Sequence, residues 1–230
     1  MSGGKTQMFN AQKLLLVGVL GLFTHTAFAA NNVIIEQLGS TNTITITQVG
    51  GNNRVGTVNS PSTITGSNNT FTSTQSGSGN TLDYTVVGSG NTISKSVTGD
   101  TNQVTFTCGD GSVACTSVTS SMTIVGNTNI VSTLIKGQNI TRSLSVTGDS
   151  NTVSESILTD NSSSTITILG DSNTFTASQS GTSAGGGHTL TATVTGAGNT
   201  HTVTQSGSVD TTVSIVTTGN SNTVTVSTGN

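Results

Sequence analysis

The chain has 230 residues, of which 7% are charged and 3% aromatic, with no Trp, one Pro and two Cys. Six basic and nine acidic residues leave a net charge of −3, so the chain lacks the basic footprint that nucleic acid or an anionic membrane surface requires. Thr, Ser, Asn, Gly, Val and Ile take the place of charge, and they predict strands and tight turns throughout, without helices.

Residues 1–30 form a separate segment. Lys5 and Lys13 precede the apolar run Leu14 to Phe23, and Ala27-Phe28-Ala29 follows. That order reads as a secretory signal peptide, and the run is too short to span a bilayer. Its removal leaves Arg54, Lys95, Lys136 and Arg142 against nine carboxylates, a net charge of −5. The expectation is a secreted or cell-surface product whose mature chain does not insert in a membrane.

Residues 31–230 read as one repeat domain. A strand from Val33 to Leu38 leads into Gly39-x-x-Asn42, Gly50-x-x-Asn53, Gly66-x-x-Asn69, Gly77-x-x-Asn80, Gly88-x-x-Asn91 and Gly99-x-x-Asn102. The step from one Gly to the next is constant except between Gly50 and Gly66, where an irregular passage from Val55 to Pro61 lengthens it. The phase resumes at Gly126-x-x-Asn129, Gly137, Gly148-x-x-Asn151 and Gly170-x-x-Asn173. After a Gly-rich insertion, 181–187, it ends with Gly185-x-x-His188, Gly196-x-x-Asn199 and Gly219-x-x-Asn222. A fixed period of this kind marks a stacked array.

Counted from each Gly, offset five is apolar (Ile44, Phe71, Leu82, Ile93, Val104, Val131), and so are many residues at offsets seven and nine. Offsets four, six and eight are nearly all Thr or Ser, as in Thr43, Thr45 and Thr47. Period-two alternation means strands with one buried and one solvated face. Two 11-residue arms per coil then predict an all-β solenoid of ~22-residue coils with two facing parallel sheets, stacked every ~4.8 Å. An antiparallel sandwich is the competing architecture. Lys95 and Glu155 fall at inward offset seven, where an unpaired charge is costly.

The Asn at offset three shares the inward parity, as does Gln at offset nine. The candidate stacking residues are therefore Gln37, Asn42, Gln48, Asn53, Asn69, Gln75, Asn80, Asn91, Asn102, Asn129, Asn151, Asn173, Gln179, Asn199, Gln205 and Asn222. A buried amide must be paired, and in a stack each can bond the like residue above and below. For Asn, a left-handed turn role is the simpler explanation.

Gln37-Leu-Gly-Ser-Thr-Asn42-Thr-Ile44, Gln48-Val-Gly-Gly-Asn-Asn53-Arg-Val55 and Gln75-Ser-Gly-Ser-Gly-Asn80-Thr-Leu82 resemble the curlin repeat, whose pattern is Q-x-G-x-x-N-x-φ. Curlins are subunits of curli, the extracellular amyloid fibres of bacterial biofilms. The resemblance implies a homopolymer formed end to end, export by a dedicated pore, a nucleating partner, and adhesion to host or abiotic surfaces. Many arms carry Val or Ile where the curlin motif has Gln, and the cysteine loop and the insertion 181–187 depart from it.

Cys108 and Cys115 predict a disulfide closing a small loop in an oxidising compartment. No metal-ligand or catalytic spacing is visible, and His188 and His201 occupy repeat positions, so neither cofactor nor enzyme activity is expected. Two other functions fit the repeat. Outward Thr-x-Thr runs resemble those of Thr-rich antifreeze solenoids, although the Ser residues in several outward rows, Asp83 and Gln103 would roughen such a lattice. A surface adhesin that does not polymerise is the other.

Overall fold

The computed structural model describes residues 30–181 and 187–229, so the expected signal peptide and most of the insertion 181–187 lie outside the described residues. The fold is an all-β solenoid of about eight coils of about 23 residues, with every strand pair parallel. Sheet 1 stacks eight strands, Thr43–Val49, Thr70–Ser76, Thr92–Thr98, Thr119–Val125, Thr141–Thr147, Ser163–Leu169, Thr189–Thr195 and Thr212–Thr218. Sheet 2 faces it. It begins with Asn32–Val33 and Ile35–Leu38, passes through Arg54–Val55, Ser62–Thr65, Thr81–Ser89 and Gln103–Cys108, and ends with Thr200–Gln205 and Thr223–Thr228.

Alternation along each strand sends three residues inward. Ile93, Lys95 and Val97 of one sheet 1 strand are at most 1% exposed, while Thr92, Ser94 and Thr98 face solvent. Register keeps like on like: Val104 stands on Val131 and Val131 on Val153, which produces continuous apolar rows. Across the core, the Phe71 and Tyr84 rings stack with centroids 3.9 Å apart.

Coil length varies only at particular places. The coil that brings Thr43 onto Thr70 is longer than the one that brings Thr70 onto Thr92. The extra residues of the longer coil leave sheet 2 as the loop between Val55 and Ser62. The other additions fall at turns from sheet 2 into sheet 1, after Cys108, after Gly181 and after Gln205. Turns from sheet 1 into sheet 2 keep one form throughout, and this edge carries the longest row of candidate residues.

Candidate assembly surface

At Gly99-Asp100-Thr101-Asn102, Gly99 takes φ +117°, and a Cβ there would collide with the carbonyl oxygen of Gly126 in the next coil. The left-handed residue is Thr101 at φ 58° rather than Asn102. The turn explanation for the Asn is therefore set aside. Freed from that conformation, the Asn102 side chain points inward and is fully buried.

Its Oδ1 accepts the backbone N–H and the side-chain amide of Asn129, both at 3.0 Å. Its own Nδ2 donates to Asn80 Oδ1 at 3.0 Å and to the Gly126 carbonyl at 2.7 Å. Each amide is thus satisfied by the coils on either side, which removes the cost of burying it. The ladder runs through Asn53, Asn80, Asn102, Asn129, Asn151, Asn173, Asn199 and Asn222, and Asn31 heads it by accepting the Asn53 N–H at 3.0 Å. Asn31 escapes the sequence pattern because the turn glycine is missing: Phe28 stands at that offset.

The opposite edge differs. Asn42, Asn69 and Asn91 form a ladder there, and Asn91 Oδ1 accepts the N–H of Val118 at 2.9 Å, where the amides stop. The row continues as Ile140, Ser162, His188 and Thr211, with Thr211 Oγ1 2.9 Å from His188 Nδ1.

The glutamines do not form a continuous row. Gln48 donates to Gln75 at 2.7 Å and Gln179 to Gln205 at 3.1 Å, but Gln75 is followed by Val97, and Gln37 stands on Ile64. The physical reason is reach. Gln75 Nε2 crosses the core to the carbonyls of Arg54 and Asn80, both at 3.2 Å, and Gln179 bonds the carbonyls of Ser163 and His188 at 3.1 Å. A longer amide finds backbone partners across the core and needs no ladder.

The charges at inward offsets are fully buried, and the strands carrying them do not bulge. Arg142 Nε donates to Glu155 Oε2 at 2.7 Å with both side chains at most 1% exposed, and Arg142 also reaches Thr133 Oγ1 at 3.0 Å. Ser164 donates to the other Glu155 oxygen. Lys95 donates to Ser120 Oγ at 2.9 Å and lies 3.8 Å from the Phe106 ring centroid. Burial first, and then the Arg142 charge, hold the Lys95 ammonium well below the usual lysine range, with Glu155 opposing. Arg142 is legible as an inward residue, since it sits at offset five from Gly137. The Tyr84 hydroxyl and Ser73 Oγ are buried without a hydrogen-bond partner among the described residues, and burial raises the Tyr84 phenol above its usual range.

Cys108 and Cys115 are joined by a disulfide with Cα atoms 5.6 Å apart. Its loop is tied down by a Lys136–Asp110 ion pair, which holds the Asp110 carboxyl well below the usual carboxylate range. Among the described residues, no three His, Cys, Asp or Glu side chains gather as metal ligands.

The two end coils remain. In the last, Thr223–Thr228 pairs with Thr200–Gln205 on one side and with no described strand on the other, and Thr212–Thr218 is likewise paired on one side. Val224 and Val226 are only partly buried there. At the other end, Val33, Ile35, Ile44 and Ile46 are in the same state. Comparison of the chain with protein-family models, curated proteins and solved structures finds no match.

Proposed function

We propose that the chain is an exported structural subunit, not an enzyme, which adds end to end to copies of itself and builds an extracellular curli-type fibre. The observation that carries this reading is the complementarity of the two end coils. Continuing the register sets Asn31 of one copy on Asn222 of another, so the asparagine ladder runs on without a break. The same step sets Val33 on Val224 and Ile35 on Val226 in sheet 2. Inward apolar groups meet apolar groups at both positions. Open strand edges supply the backbone donors and acceptors for the same contact.

The basic-then-apolar segment ending at Ala27-Phe28-Ala29 and the Cys108–Cys115 disulfide support export to an oxidising compartment. The curlin likeness of Gln48 to Val55 and Gln75 to Leu82 supports a role in a biofilm matrix or in adhesion, with a nucleating copy or secretion pore as further partners. Electron microscopy and fibre diffraction of the mature protein test the reading. Unbranched fibres with a reflection near ~4.8 Å along the axis are expected. Protein that stays monomeric at high concentration would contradict it.

A further inference from the structure

The outer faces of the two sheets differ. All eight strands of sheet 1 have the same length, and every one is in register with its neighbours. Their outward positions form four rows; three are built almost wholly from Thr and Ser, and the fourth, from Val49 to Thr218, also holds the exposed Val125 and Leu169. The first runs from Thr43 through Thr70, Thr92, Thr119, Thr141, Ser163 and Thr189 to Thr212. The second and third begin at Thr45 and Thr47. Of these 24 positions, 16 are Thr, seven are Ser and one is Val216. None carries a charge. On sheet 2, Arg54, Asp83, Gln103, Ile130 and Leu134 break the corresponding rows, and the loop between Val55 and Ser62 interrupts them. Asp83 and Gln103 therefore lie on the other face, and the three Thr/Ser rows of sheet 1 depart from those two residue types only at Val216.

We propose that the outer face of sheet 1 is a binding surface for ice. Strand geometry sets its side chains at about 4.8 Å between coils and about 6.7 Å along each strand. The prism faces of hexagonal ice repeat on a rectangular net of closely comparable size. Threonine is suited to such a net: its hydroxyl joins the lattice, its methyl sits against the water cage, and branching at Cβ restricts its rotamers before contact. The coil-length changes all lie outside sheet 1, which preserves the net over its full length.

The chemistry of the face excludes other occupants. A polyanion or an anionic lipid surface needs cations, and the three rows hold none. The rows also hold no aromatic ring on which a sugar could stack and no contiguous apolar patch for a second copy. A neutral, hydrogen-bonding partner with two-dimensional order remains. The inference does not depend on polymerisation, since one copy presents the whole array.

Uptake of the mature protein into slowly grown ice tests this, with a suspension of crystalline cellulose as a parallel arm. Wild type is expected to concentrate in the ice fraction. Thr165→Tyr, in the interior of the face, should lose most of that uptake, and Thr105→Tyr, on sheet 2, should keep it. Circular dichroism melts of all three establish that the fold is retained. Exclusion of wild type from ice would overturn the proposal, as would equal losses in the two folded variants, or retention by cellulose alone.

Discussion

The Nε of Arg142 lies 2.7 Å from Oε2 of Glu155, between two side chains that solvent does not reach. The pair joins sheet 1 to sheet 2 through the middle of an otherwise narrow core. Removing one partner leaves the other charge buried and alone. Arg142→Ala or Glu155→Ala should therefore lower stability by about 3–5 kcal/mol, whereas Arg142→Met with Glu155→Met should be neutral or stabilising. Denaturant titration of the three variants separates these outcomes.

The asparagine ladder predicts a position-dependent cost. Asn102→Ala removes the acceptor used by both donors of Asn129 and two bonds of its own. Leaving those groups unpaired in the core should cost roughly 2–4 kcal/mol. Asn222→Ala, in a coil that is stacked on one side, should cost the folded monomer less and slow assembly more. Melting curves and seeded growth rates measure the two effects.

Acid should weaken the fold through His201. Its ring lies between Phe175 and Val224, with Nε2 2.9 Å from Thr217 Oγ1 and Nδ1 unpartnered among the described residues. Burial lowers its pKa, so the folded state resists the proton that the unfolded chain takes up below about pH 6.5. The unfolded state then binds more protons, and stability falls as pH drops through that region. His201→Leu should flatten this part of the stability–pH curve, whatever its effect at neutral pH.

The disulfide should stabilise by limiting the unfolded chain. Closing the short segment from Cys108 to Cys115 corresponds to about 2.5 kcal/mol on the chain-entropy scale. Cys108→Ser with Cys115→Ser should lower the melting temperature, and added reductant should then have no further effect. Because both half-cystines are buried against sheet 2, the loss should also appear as faster exchange in the strand Gln103–Cys108.

Much of the architecture is legible without coordinates. Thr43-Ile-Thr-Ile-Thr already states which residues face inward, and the regular recurrence of Gly-x-x-Asn states how arms stack. What one repeat does not reveal is which residue stands above which. Coils of unequal length shift the partners, so the end of the second ladder at Val118 emerges only from the register. Gln37 is equivalent to Gln48 by offset, yet its neighbour is Ile64. Lys95 reads as an isolated buried charge because Ser120 stands in the next coil, and Glu155 because its partner Arg142 lies across the core in the preceding arm.

The central claim is that one copy's first coil completes another's last in register. Asn32 and Thr223 are exposed and lie at opposite ends of sheet 2 within one chain. Across the proposed contact they are adjacent, at a strand spacing of about 4.8 Å that a disulfide can bridge. Mixing Asn32→Cys with Thr223→Cys under oxidation should give covalent heterodimers that neither variant forms alone. Equal cross-linking by a single variant, or none in the mixture, would contradict the account.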